Sequence, residues 1–86
     1  MGNILKMYTI YDRVAEMHGD IFLAVNHSVA IRNFHSVLSK ANIDTVGDYF
    51  LHYLGDFTQN TAHIELNKEA DRVIASGSEY MDKNKV

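Results

Sequence analysis

Five histidines, at positions 18, 27, 35, 52 and 63, have the widest scope for chemistry in this 86-residue chain. Imidazole serves as metal ligand, general base or proton carrier, but each use needs partners at set spacings. No HxxxH or HExxH pair occurs, and no carboxylate stands at a ligand spacing. His27 and His35 lie two helical turns apart, too far to share one ion. His52 and His63 fall in neighbouring segments and give two ligands without a third. The serines at 28, 36, 39, 76 and 78 sit in no GxSxG context. Gly47 and Gly55 are isolated, so no phosphate-cradling loop is present. Asp48 and Asp56 read as strand-end and turn residues. The absence of cysteine removes thiolate nucleophiles, cysteine zinc sites and disulfides. The expectation is a protein that is not an enzyme and uses no metal or cofactor.

Tyrosine and cations offer a second kind of chemistry. Tyr8, Tyr11, Tyr49, Tyr53 and Tyr80 are spread along the chain, the first two near Lys6 and Arg13. Exposed rings beside cations stack bases in single-stranded nucleic-acid binders. The same rings serve equally well in a core or under a dimer partner. Charge limits the first reading. Residues 1–43 set Lys6, Arg13, Arg32 and Lys40 against Asp12, Glu16 and Asp20, a slight positive surplus. Residues 44–86 hold eight acidic residues against four cations. With net charge −3, any nucleic-acid role rests on a local patch, on stacking or on a multimer.

The elements that must position these residues are legible in outline. Residues 4–11 are β-branched and aromatic and read as a strand. Val14–Met17 suggests a helical turn, and the apolar run 21–25 reads as a strand buried on both faces. Asn26 is an N-cap for a helix running to about Asn42, with Ala30, Phe34, Val37, Leu38 and Ala41 as its apolar stripe. Strands follow at 49–57 and 61–66. A two-residue Gln59-Asn60 loop would put Tyr49, Leu51, Tyr53 and Phe57 on one face with Ala62, Ile64 and Leu66. Phe50, His52, Leu54 and His63 would then face outward, whereas a three-residue loop would put Phe50, His52 and Leu54 on the inner face instead; the first gathers more apolar area. Asn67 caps a second helix over 68–76, bearing Ala70, Val73 and Ile74 and ended by Ser76-Gly77-Ser78. The expected class is α+β, in the order β-β-α-β-β-α. It is a four-stranded antiparallel sheet with one long helix on a face and a short C-terminal helix. Residues 1–76 form one domain, and 77–86 are a polar, flexible tail. Nearly half the residues are apolar, yet so short a chain has a thin stability margin. With no disulfide available, a homodimer is the expected source of further burial. No apolar run is long enough to span a membrane, and no signal peptide is evident.

The blocks Met7-Tyr8-Thr9-Ile10-Tyr11-Asp12, Ala15-Glu16, Phe22, Ala30-Ile31-Arg32-Asn33-Phe34, Asp48-Tyr49, Leu51, Leu54-Gly55-Asp56-Phe57 and Thr61 come in a characteristic order. Together they resemble the small nonstructural protein of gokushoviruses, single-stranded-DNA phages of the microvirus family. The resemblance covers residues 5–66. Three positions depart from it: Val14 stands for a usual Lys, Asp20 near a usual Pro, and Ala62 for a frequent Gly. The resemblance implies a protein outside the capsid, in the cytoplasm of the bacterial host. It would bind single-stranded DNA during genome replication or packaging. On that reading Arg32 contacts phosphate from the long helix, Tyr8 and Tyr11 stack or shape the sheet face, and Lys6, Arg13 and Lys40 add charge. The alternative is a protein-interaction adaptor. It would engage a phage or host replication protein through Phe50 and Leu54 or through the acidic second half.

Overall fold

The computed structural model describes residues 3–68 and 72–83. Strand β1 (Ile4–Asp12) pairs antiparallel with β4 (Tyr49–Thr58) along its whole length. The other edge of β1 carries two short strands, β2 (Met17–His18) and β3 (Phe22–Ala24). The other edge of β4 carries β5 (His63–Leu66) and β6 (Arg72–Ser76). The result is a curled antiparallel sheet of six strands, four strands wide at either end. Helix α1 (His27–Leu38) covers one face, and α2 (Gly77–Lys83) closes one end beside a single 3-10 turn at Val46–Asp48. The α+β class and its two helices therefore match the expectation. Among the described residues no helix is long and apolar enough to cross a membrane.

Local chemistry explains each connection. Asp12 accepts hydrogen bonds from the Val14 and Ala15 amides, and Glu16 takes a left-handed φ of 57°. Those bonds make 13–16 a tight turn where a helical turn was expected. Asn26 caps α1 as its type predicts, accepting from the Val29 amide at 2.9 Å. The helix ends at Leu38, four residues before Asn42, as the Lys40 and Ala41 amides tighten onto Val37 and Leu38. Its buried stripe is Ala30, Phe34 and Leu38, and Val37 faces solvent instead. These three join Tyr8, Ala24, Val46, Leu51 and Ala75 in one core.

The sheet departs from the expected register at a bulge in β4 and at the β4–β5 hairpin loop. Met7 pairs with Gly55 and Tyr8 with Tyr53, so Leu54 is an extra residue in β4. Tyr53 thus faces α1 while Phe57 faces away with Ile64 and Leu66. The expected single face holding Tyr49, Leu51, Tyr53 and Phe57 is split. The hairpin loop spans four residues, 59–62, because Ala62 adopts a left-handed φ of 60° and Thr58 pairs with His63. His63 accordingly lies on the α1 side, while Phe50 and Leu54 are half-buried and His52 is buried on the outer face. The 21–25 run is an edge strand, with Ile21, Leu23 and Val25 exposed, and is not buried on both faces.

The second helix lies later than expected. Residues 72–76 form β6 against the outer edge of β4, and Ala70 falls outside the described residues. Ser76 starts α2 instead of ending a helix. Its hydroxyl accepts from the Glu79 amide, and the Glu79 carboxylate accepts from the Ser76 amide at 3.1 Å. Such reciprocal bonds make a capping box. The tail expected from residue 77 onward is therefore ordered as helix through Lys83, and Tyr80 packs on the core. Residues 84–86 lie outside the described residues.

Two glycines admit no side chain. Gly55 has φ 153°, and a Cβ there would lie 2.3 Å from the Glu65 carbonyl oxygen. At Gly77 a Cβ would lie 1.7 Å from the Val46 carbonyl oxygen. We expect Gly55→Ala and Gly77→Ala each to cost about 2 kcal/mol, on the order of 10 °C in thermal midpoint. Gly19→Ala, whose added carbon meets nothing closer than 3.6 Å, should leave the midpoint nearly unchanged. Thermal melts of the three variants check this.

Candidate nucleic-acid interface

The six residues expected to bind nucleic acid do not form one patch. Tyr8 is fully buried, so its ring cannot stack on a base. It packs against Phe22 and Tyr53, and its hydroxyl lies 2.6 Å from His27 Nδ1. Tyr8 shapes the sheet face from within the core. Tyr11 lies on the opposite face, half-buried between the rings of His18 and His52. His52 thus neighbours His18 and not His63. Among the described residues no three potential ligands gather into a metal site.

Lys6 and Arg13 are both engaged with carboxylates. Lys6 pairs with Asp56 at 3.5 Å and lies over the Tyr53 ring. Arg13, just past the end of β1, donates to Asp48 at 2.5 Å, while its amide donates to the Asp48 carbonyl. Each cation is partly neutralised before any ligand arrives. Arg32 and Lys40 differ. Both are exposed, and no described carboxylate lies within ion-pair distance of either. The helical period puts Arg32 on the side of α1 away from the core, and Lys40 follows just past the helix end at Ser39. Ser28, Asn33, Ser36 and Ser39 are exposed there too. From Ile21 to Ile43 the chain holds no acidic residue. This face combines positive charge that no described carboxylate pairs with small hydrogen-bonding side chains, a composition suited to phosphate.

A polar chain on the same side of the sheet was not foreseen from the sequence. His27, the first residue of α1, links through Tyr8 to Tyr53. The Tyr53 hydroxyl donates to Asp56 at 2.6 Å, and Asp56 holds Lys6. The cross-strand pairs Tyr8 with Tyr53 and Lys6 with Asp56 build it, so only the register could have shown it. The chain fastens the start of α1 to the sheet. Burial, reinforced by Tyr53 and Asp56, pushes the Tyr8 hydroxyl from 10.0 up to about 12.

Comparison with known proteins places the chain in one family. A family model described as Phage ORF5 protein matches residues 5–80. The chain belongs to that family. No curated protein and no solved structure matches it. The family match extends past the blocks ending at residue 66 to take in β6 and the first half of α2. It identifies a phage protein, and the family's description assigns no activity.

The raised Tyr8 pKa has a signed consequence. The folded state retains the proton more tightly than the unfolded chain. That contribution to stability is therefore complete below pH 10 and is lost as pH rises from 10 to 12. Thermal midpoints should fall across that window in the native protein and fall less in Tyr8→Phe. At neutral pH Tyr8→Phe should cost about 1 kcal/mol for the lost bond to His27.

Proposed function

We propose that this phage protein binds single-stranded DNA, without catalysis, through the outer face of α1. The acid-free stretch from Ile21 to Ile43, with Arg32 and Lys40 exposed and, among the described residues, in no ion pair, carries the reading. In a chain of net charge −3, a segment cleared of carboxylates is where a polyanion meets least repulsion. The resemblance to the gokushovirus nonstructural protein supports a single-stranded target and a role in genome replication or packaging in the bacterial cytoplasm. Binding rests on phosphate contacts, since Tyr8 is enclosed and Tyr11 is held between two histidines. Lys6 and Arg13 contribute less than Arg32 and Lys40, because each already faces a carboxylate.

Fluorescence anisotropy of a labelled oligonucleotide across a salt series tests this. Affinity should fall steeply with salt. Arg32→Ala with Lys40→Ala should weaken binding about tenfold at low salt and flatten the log–log salt slope by roughly 1.4, two phosphate contacts' worth. Lys6→Ala and Arg13→Ala should have smaller effects. Binding indifferent to the helix cations would contradict the site. No binding at micromolar protein in low salt would favour the adaptor reading instead.

A further inference from the structure

We infer that the sheet face turned away from α1 is an interface with a second copy of this chain. Strand alternation and the Leu54 bulge send the charged side chains of the β3–β1–β4–β5 end to one side, which Ile4, Tyr8 and Phe22 share. Lys6, Asp56 and Glu65 are register partners on the α1 side. The other side carries Leu5, Met7, Leu23, Phe57, Ile64 and Leu66, with Gly55 between Met7 and Leu66. No charged side chain interrupts these rows. Neither helix covers them: α1 lies on the opposite face and α2 packs at the other end, beside Val46–Asp48. Leu23 is 41% exposed, Ile64 53% and Leu66 69%. All four residues of β5 are exposed, and one neighbouring strand holds it.

A second copy fits this surface better than an unrelated protein does. The face is neutral, so a partner that brought charge onto it would bury that charge unpaired. A second copy brings an equal charge-free face, and a two-fold axis closes the pair. The sheets would stack about 10 Å apart, as in a sandwich. Lys6, Asp56 and Glu65 stay on the far sides, where water and salt screen the repulsion between two acidic chains. The dimer also supplies burial that a chain of 86 residues without disulfides lacks. Its two α1 faces would point in opposite directions. If α1 binds DNA as proposed above, the dimer bridges two strand segments. That consequence rests on the DNA reading; the interface itself does not.

Light scattering of the purified chain, with no DNA present, tests the interface. The native protein should show twice the chain mass of 9.8 kDa at tens of micromolar. Ile64→Glu with Leu66→Glu should halve that mass while the far-ultraviolet circular dichroism stays native, since both side chains are exposed. Leu23→Lys, on the opposite edge of the face, should do the same and stands in if the double variant unfolds. Val37→Glu, exposed on α1, should remain a dimer. A native protein that is monomeric throughout, or folded face variants that stay dimeric, would overturn the inference. The DNA measurement can succeed or fail independently of either result.

Discussion

The antiparallel ladder between β1 and β4 is the interaction on which the rest of the protein depends. It joins Ile4–Asp12 to Tyr49–Thr58, and each remaining strand attaches to one of these two. The core assembles across it: Tyr8 comes from β1, Leu51 from β4, and Phe34 and Leu38 from the helix laid over both. Each ladder hydrogen bond contributes only about 1 kcal/mol net, so the pairing holds because Tyr8, Leu51 and Phe34 are excluded from water together. Losing the register would release four short strands and the helix that packs on them.

One extra residue in that ladder gives the two ends of the sheet different faces. Without the bulge at Leu54, Phe57 would point toward α1 with Tyr53, and Asp56 would point away. The bulge instead brings Asp56 to Lys6 and to the Tyr53 hydroxyl, and sends Phe57 outward. Polar groups gather where the helix begins, and apolar groups gather on the open face. Arg13 and Lys6 are consumed in holding the framework, which leaves Arg32 on α1 and Lys40 just past its end in no ion pair among the described residues. The division of labour between a charged helix face and a neutral sheet face thus follows from strand register as much as from composition.

Much of this was readable in the sequence, and the failures share a cause. The strands expected over 4–11, 49–57 and 61–66 announced themselves through β-branched and aromatic residues and stand at 4–12, 49–58 and 63–66, and Asn26 marked the start of α1. The bulge at Leu54 was hidden, because it is set by pairing with a strand more than forty residues away. Gly55 was its one local sign. Residues 72–76 suit a helix by spacing, yet Val73 and Ile74 are β-branched and the outer edge of β4 was free to pair. The Ser76–Glu79 capping box was a local signal that could have placed α2 correctly. Of the candidate site residues, Arg32 and Lys40 are exposed and in no ion pair among the described residues. The sequence could not show that Tyr8 is enclosed or that Lys6 and Arg13 face carboxylates, since burial and pairing are settled by tertiary packing.

The most direct test of this two-faced arrangement is an amide-resolved NMR titration of the native protein with a short single-stranded oligonucleotide. The account predicts shifts concentrated at Ser28, Arg32, Asn33, Ser36, Ser39 and Lys40, with β5 and the Leu5–Phe57 rows undisturbed. Shifts concentrated on the apolar outer face, with α1 unaffected, would contradict it.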